Sequence, residues 1–417
     1  MIEYLHHLIV FGVALATVLA VTPVVRRVAI GLGAVAQPGE RHVHAVPTPT
    51  LGGLGLFAGL LAAIAVASTL SSYDEVFRTT SEPEALVLAG LVVVAVGVRD
   101  DLRGVSAPGR VAAQVLAAGM LVLLGGVYLR WIYIPGLLPG SNGNIVVLGF
   151  DLAALLTVVA IVAMINAVNL VDGLDGLAAG IVAIAALALF CYVQLSDAWA
   201  RELPSSAPLL LAAVGGVCVG FLFYNFHPAS IFMGDTGAML LGLALGAAGI
   251  SAISWTAAPN HGDFVAVSIP VLVPALVLAV PFVDTIWTIL RRLRSGRPVS
   301  SPDKEHLHHR LLEIGNSHRR AVFTMYYWSA LLAFGAVAAG LLPRPLLLAI
   351  LACGIALGWA IVTVARRAGR RRRSALRPAP ASGGRRQRRD EIVPLRKSFS
   401  PNRKTALDQP KRIKGRL

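Results

Sequence analysis

The sequence predicts an all-α polytopic membrane protein, and three observations carry that prediction. Hydrophobic residues fill 56% of the 417 positions and charged residues only 14%, against about 25% charged in an ordinary soluble chain. Apolar runs long enough to cross a bilayer, about 20 residues each, recur from the N-terminus to Val364. The basic residues between those runs gather on alternate sides.

Eleven such runs are expected to be transmembrane helices, near 4–23, 51–70, 84–99, 109–128, 149–168, 177–196, 207–225, 237–256, 264–290, 321–342 and 345–365. The first has no Lys or Arg before it, Arg26 and Arg27 after it, and no cleavage pattern of small residues, so it reads as an anchor and not a signal peptide. The positive-inside rule then places the N-terminus outside. The third run is short and begins at Glu84, and the ninth carries Pro270, Pro274 and Pro281, which predicts a kinked or tilted helix. Alternation puts 24–50, 99–108, 169–176, 226–236, 291–320 and the C-terminus in the cytoplasm. The external segments hold only Arg78, Arg130, Arg201 and Arg344, out of 18 basic residues before position 366. Cys191, Cys218 and Cys353 all lie in apolar runs, with no disulfide or zinc spacing, and read as small buried hydrophobes.

The net charge of +15 belongs to the tail. From Arg366 onward 19 basic residues face three acids, and the remainder carries 18 basic and 19 acidic groups. Two regions follow: a transmembrane domain, 1–365, and a basic tail, 366–417, rich in Arg, Pro, Ser and Gly. Such a tail buries too little apolar surface to offset its ordering entropy. It is expected to be disordered and to lie against anionic membrane lipids, not nucleic acid.

Acids and amides at the cytoplasmic ends of apolar helices are the informative residues: Asp100 and Asp101 in GVRDD, Asp172 and Asp175 in NAVNLVDGLDGLAAG, Asp235 in IFMGDTG, and Asp284 in PFVDT. One such acid would read as a helix cap. Several loops sharing the pattern read as function, because ionisable groups near a bilayer are costly. Carboxylates and amide oxygens without paired cysteines suit a hard cation that shares its coordination with substrate phosphates, above all Mg²⁺. The loop PDKEHLHHRLLEIG adds His306, His308, His309 and Arg310. These read as donors for a diphosphate and a sugar, with a three-histidine zinc site as the alternative. A transporter is the competing class, although its acids should sit at helix midpoints, often in repeated halves.

The ordered set PTPTLGG, GVRDD, NAVNLVDGLDGLAAG, FLFYNFHPASIFMGDTG, PFVDT and PDKEHLHHRLLEIG, from about Thr22 to Ala365, resembles the polyprenyl-phosphate N-acetylhexosamine-1-phosphate transferases. The resemblance implies Asp235 as the main Mg²⁺ ligand, with Asn169 nearby and Mn²⁺ as a substitute ion. It implies Phe232 stacking on uracil, Asp175 reading the uracil edge and Asp172 in the same substrate site. Asp100 and Asp101 would flank the attacking lipid phosphate, Arg110 would bind phosphate, and His306, His308, His309 and Arg310 would cover the sugar and diphosphate. The first cytoplasmic loop departs from the family pattern, with Gln37, His42 and Thr50 where relatives carry acidic or basic residues.

The HLHHR and NLVDGLDG forms resemble the branch that moves N-acetylglucosamine-1-phosphate from UDP-N-acetylglucosamine to undecaprenyl or decaprenyl phosphate, opening cell-wall linker or polysaccharide synthesis. The peptidoglycan branch, which uses UDP-N-acetylmuramoyl-pentapeptide, is the alternative. The implied setting is a bacterial inner membrane with the active site in the cytoplasm, and a homodimer is an assembly the resemblance allows.

Overall fold

The computed structural model describes residues 2–37, 47–134, 144–195, 205–254, 273 and 318–375. The chain divides into two units, Met1–Arg371 and Arg372–Leu417, and the first contains the helical bundle. The described helices are α1 (Ile2–Gly31), α2 (Gly53–Ala67), α3 (Asp74–Thr79), α4 (Glu82–Arg103), α5 (Ala107–Leu123), α6 (Phe150–Val171), α7 (Leu177–Leu195), α8 (Ala207–Asn225), α9 (Gly234–Ser254), α10 (His318–Leu341) and α11 (Arg344–Ala375). Prolines at the first turns of α4, α5 and α8 sit where the missing N–H costs nothing. Two short antiparallel pairs break the all-helical pattern. β1 (Val35–Ala36) meets β2 (Thr48–Pro49), and β3 (Trp131–Ile134) meets β4 (Asn144–Val147) with Trp131 opposite Val147.

The chain is a polytopic membrane protein. Six described helices are long and apolar enough to cross a bilayer, seven if α2 and the segment bent 92° after it form one broken span. Every expected run overlaps a helix except 264–290, of which only residue 273 is among the described residues. The lower count has a physical reason. α4 is 22 residues long but carries Glu82, Glu84, Arg99, Asp100, Asp101 and Arg103 at its ends, and α5 has 17 residues. The charged residues at its two ends thus dilute the apolar signal of α4.

At the centre stands α9. From Ala238 to Ala248 none of its non-glycine side chains is more than 1% exposed. Around it pack α2, α4, α5, α6, α7 and α8, while α1 lies against α2 and α8, and α7 also against α10. The outer helices show the reverse pattern. Leu152, Leu155 and Val159 of α6 are all at least half exposed, at the i, i+3, i+7 spacing of one stripe. In a bilayer that stripe faces lipid. Cys218 is buried as expected, whereas Cys353 is exposed on α11; its apolar run faces outward, so the expectation of burial fails there.

Polar ties close the end of the bundle where α1 starts. His7 Nδ1 lies 2.5 Å from the Tyr73 hydroxyl, and its Nε2 lies 2.8 Å from Gln194 Nε2. Buried Glu82 accepts hydrogen bonds from the Ser206 and Ser251 hydroxyls. The described acids and amides singled out in the sequence collect at the other end.

Candidate active site

Two short loops lock together to set up the site. The Phe232 N–H donates to the Pro49 carbonyl at 2.8 Å, and the Gly52 and Gly53 N–H groups donate at 2.9 Å to the carbonyls of Phe232 and Met233. This contact needs glycine. A Cβ on Gly52 would stand 2.6 Å from Phe221 Cζ and from the Phe232 carbonyl oxygen, and one on Gly53 would enter the Gly237 backbone. The LGG of PTPTLGG is therefore a dock for the loop that ends in Gly234–Asp235.

The start of α9 is capped from another helix. Asp101 of α4 accepts from the Asp235 N–H at 2.9 Å through one carboxylate oxygen, and from the Thr236 hydroxyl at 2.6 Å and N–H at 3.3 Å through the other. A helix N-terminus leaves N–H groups unpaired and carries partial positive charge, so an anion there is well placed. Gly234 has φ +69° and turns the chain into the helix. A Cβ on it would collide with the Asp101 carboxylate.

That cap aims Asp235 at its partners. Asn169 Nδ2 donates to Asp235 Oδ1 at 2.6 Å. Arg110 Nη1 lies 3.6 Å from Asp235 Oδ2 and 3.3 Å from Asp100 Oδ2. Asp100 Oδ1 accepts the Val105 N–H at 2.7 Å, while its buried Oδ2 makes no hydrogen bond among the described residues. At the end of α6, burial pushes the Asp172 carboxyl up to about 7, with the charges of Asp235, Asp101 and Asp175 adding to it. One turn deeper, Asn166 Nδ2 donates to Gln114 Oε1 at 2.7 Å, tying α6 to α5 beneath Asn169 and Arg110.

Beside this centre, Asp175 is held by the loop after α8. Its Oδ2 accepts from His227 Nδ1 at 2.7 Å and from the Ala229 N–H at 3.2 Å. The His227 ring stacks on His318 with centroids 4.1 Å apart and planes 13° from parallel. Arg319 Nε donates to the His227 carbonyl at 2.9 Å, and the Tyr326 hydroxyl donates to the Gly176 carbonyl. Asn225 joins both loops, accepting the Gly176 N–H and donating to the Ile231 carbonyl, each at 3.0 Å.

Among the described residues, two groups could hold a cation. Asp175, His227 and His318 offer ligand atoms within 4.8 Å of one another. A metal sits in the plane of each imidazole that binds it, however, and nearly parallel stacked planes do not meet near the pair. Asp235, Asn169, Asp100 and Asp172 suit better. They supply oxygen donors, their carboxylates crowd one another beside the Arg110 guanidinium, and one buried Asp100 oxygen, ion-paired with Arg110 at 3.3 Å, makes no hydrogen bond among the described residues. That is the chemistry of a hard divalent ion.

Residues 84–253, from the start of α4 into α9, match the sequence model of Glycosyl transferase family 4. The decaprenyl-phosphate N-acetylglucosaminephosphotransferase of Mycolicibacterium smegmatis is 43% identical over 318 residues, covering 75% of this chain and 77% of the relative. The chain belongs to this family of polyprenyl-phosphate N-acetylhexosamine-1-phosphate transferases. A probable undecaprenyl-phosphate N-acetylglucosaminyl 1-phosphate transferase of Bacillus subtilis is another relative, 34% identical over 330 residues, 79% of this chain and 84% of its own. The phospho-N-acetylmuramoyl-pentapeptide-transferase of Rubrobacter xylanophilus is more distant, 30% identical over 247 residues, 57% of this chain and 71% of its own.

In this member of the family, residues far apart in sequence meet. Asp100, Asp101, Arg110, Asn169, Asp172, Asp175 and Asp235 come together from α4, α5, α6, α9 and the α6–α7 turn. Phe232 sits on the loop that also reaches Asp175 through Ala229. His306, His308, His309, Arg310 and Asp284 lie outside the described residues. Sequence patterns alone do not single out His227, His318, Arg319 and Asn225. The signal they carry is a polar residue beside a helix end in an otherwise apolar stretch.

Proposed function

We propose that this chain transfers N-acetylglucosamine-1-phosphate from UDP-N-acetylglucosamine to a polyprenyl phosphate, undecaprenyl or decaprenyl, releasing UMP. The observation that carries this reading is the convergence of Asp235, Asn169, Asp100 and Arg110 at the start of α9, beside the loop bearing Phe232 and Asp175. The identity to the glucosamine-branch relatives over most of both chains supports it over the pentapeptide alternative. The first step of cell-wall linker or polysaccharide synthesis at the cytoplasmic face of a bacterial inner membrane, with eleven crossings and an external N-terminus, is the setting we assign.

In the reaction a lipid phosphate oxygen attacks the β-phosphorus of the UDP-sugar, and the bond to the UMP oxygen breaks. The lipid phosphate has its second pKa near ~6, so the nucleophile is largely ionised at neutral pH without a strong base. Asp100, pinned by the Val105 N–H and facing Arg110, then serves best to position Arg110. The Arg110 guanidinium, shared between Asp100 and Asp235, can turn its donors to phosphate oxygens. Bound Mg²⁺, held by Asp235 and Asn169, would offset diphosphate charge and stabilise the leaving UMP. Phe232 offers a face for the uracil and Asp175 an acceptor for its edge.

The test is purified protein with a short polyprenyl phosphate and a panel of UDP-sugars, scored for UMP release. Release from UDP-N-acetylglucosamine that stops on chelation and returns with Mg²⁺ is expected, with Mn²⁺ a partial substitute. Release from UDP-N-acetylmuramoyl-pentapeptide alone would replace this reading with the peptidoglycan one.

A further inference from the structure

We infer that His227 is a positioning and specificity residue: its Nδ1–H, held in place by the stack on His318, fixes the Asp175 carboxylate so that one oxygen faces the nucleobase as a pure acceptor. The inference rests on the proposed uridine-nucleotide site and adds to it a residue and a mechanism of base selection.

Burial creates the need for such a residue. The Asp175 side chain is only 11% exposed, against 39% for His227, and a carboxylate so enclosed needs fixed donors. The described residues supply two, both to Oδ2: the Ala229 N–H at 3.2 Å and His227 Nδ1 at 2.7 Å. A carboxylate accepts and does not donate, so Nδ1 must carry the proton. With Oδ2 engaged twice, Oδ1 is the oxygen left to meet a ligand. An acceptor there favours a base edge that presents an N–H, as the N3–H of uracil does, and repels one that presents a bare ring nitrogen, as cytosine does.

Two further contacts keep His227 from turning away, and a third holds the backbone beside Asp175. Its ring lies flat on His318, 4.1 Å centroid to centroid. Its carbonyl is held by Arg319 Nε at 2.9 Å. His318 and Arg319 open α10, and Tyr326, two turns on, donates to the Gly176 carbonyl next to Asp175. The first turns of α10 thereby brace both the base-reading acid and the histidine that orients it.

Four substitutions separate the hydrogen bond from the stack. Asn places an amide nitrogen where His has Nδ1, whereas Gln places it nearer Nε2; Phe keeps the stack without a donor, and Ala removes both. In full-length protein in detergent, His227→Asn should keep KM for UDP-N-acetylglucosamine within about threefold of the parent. His227→Ala, His227→Gln and His227→Phe should raise KM roughly ten- to a hundredfold with kcat little changed, as expected for a hydrogen bond to a charged group. The same three should bind CMP closer to UMP in calorimetric titration, which a purely structural role would not produce.

A Phe variant that matches the parent while Asn does not would overturn the inference in favour of stacking alone. Four variants with parental KM and parental UMP preference would also overturn it, as would equal losses of kcat at constant KM. Inhibition of the parent by micromolar Zn²⁺, abolished in His227→Ala, would make the Asp–His–His trio a metal site instead. A parent protein that binds UMP and turns over while the variants behave alike defeats this inference only; a parent that neither binds UMP nor releases it defeats the functional reading beneath it.

Discussion

Asp101 and Asp235 are neighbours in space with different tasks, although both are acids at the edge of an apolar run. Asp235 points its carboxylate at Asn169 and Arg110, whereas Asp101 commits three hydrogen bonds to the start of α9. Sequence places both in the site but does not divide the work between them, because the division depends on which backbone N–H groups lie opposite. Asp235→Asn keeps the size and removes the charge. If it costs about 3 kcal/mol of transition-state stabilisation, the rate falls roughly a hundredfold at ~1.4 kcal/mol per decade. UMP release at limiting Mg²⁺ should show that drop, while Asp74→Asn, at the other end of the bundle, should leave it unchanged. Near-parental turnover in Asp235→Asn would move the metal assignment to Asp100 or Asp172. Asp101→Ala should act differently. It strands the donors of Asp235 and Thr236, at about 1–3 kcal/mol for a buried unsatisfied group, so the thermal midpoint in detergent should fall along with turnover. A drop in turnover with an unchanged midpoint would assign Asp101 to the chemistry and not to the cap.

The helices are legible in the sequence because apolar length is a strong signal, and the loops between them are not. Nothing in the composition of Val35–Ala36 or Thr48–Pro49 announces a two-residue β pair, yet that pair leads into the glycines that dock on Phe232 and Met233. Nor does a hydrophobic run reveal that α9 will be the buried centre; its residues look no more apolar than those of α6, which faces outward on one side. The distinction comes from small residues. Gly237 receives Gly53, and Gly242 receives the Ile165 backbone, which lets neighbours close on α9 where a larger side chain would hold them off. Gly53→Ala tests this at the element scale. Its Cβ would enter the Gly237 backbone, and overpacking of this kind costs about 1–3 kcal/mol or more. The expected result is a lowered thermal midpoint and a raised KM for Mg²⁺-dependent UMP release, from a displaced Asp235. Gly119→Ala, where a Cβ meets open space, is the control and should be silent in both measurements.

At the scale of the molecule, the site sits at one end of the bundle and the His7–Tyr73 and Glu82–Ser251 ties at the other, so the bundle has two chemically distinct faces. Positive-inside reasoning reads that polarity from the sequence, because Arg and Lys concentrate beside the acids and not beside the ties. It does not reveal how closely α4 links the faces: the helix begins at buried Glu82 and ends in Asp100 and Asp101. The orientation gives the final prediction. In a cysteine-free background, Thr79→Cys and Ala107→Cys place exposed thiols beyond the two ends of α4, about 33 Å apart along a 22-residue helix at 1.5 Å per residue. An impermeant maleimide added to intact cells should label Thr79→Cys, and should label Ala107→Cys only after the membrane is opened. Under the proposed function the donor is a UDP-sugar made inside the cell, and a site on the Ala107 side would meet it without a transporter. Labelling of Ala107→Cys in sealed cells, with Thr79→Cys protected, would invert the protein in the membrane and separate the acid cluster from its nucleotide.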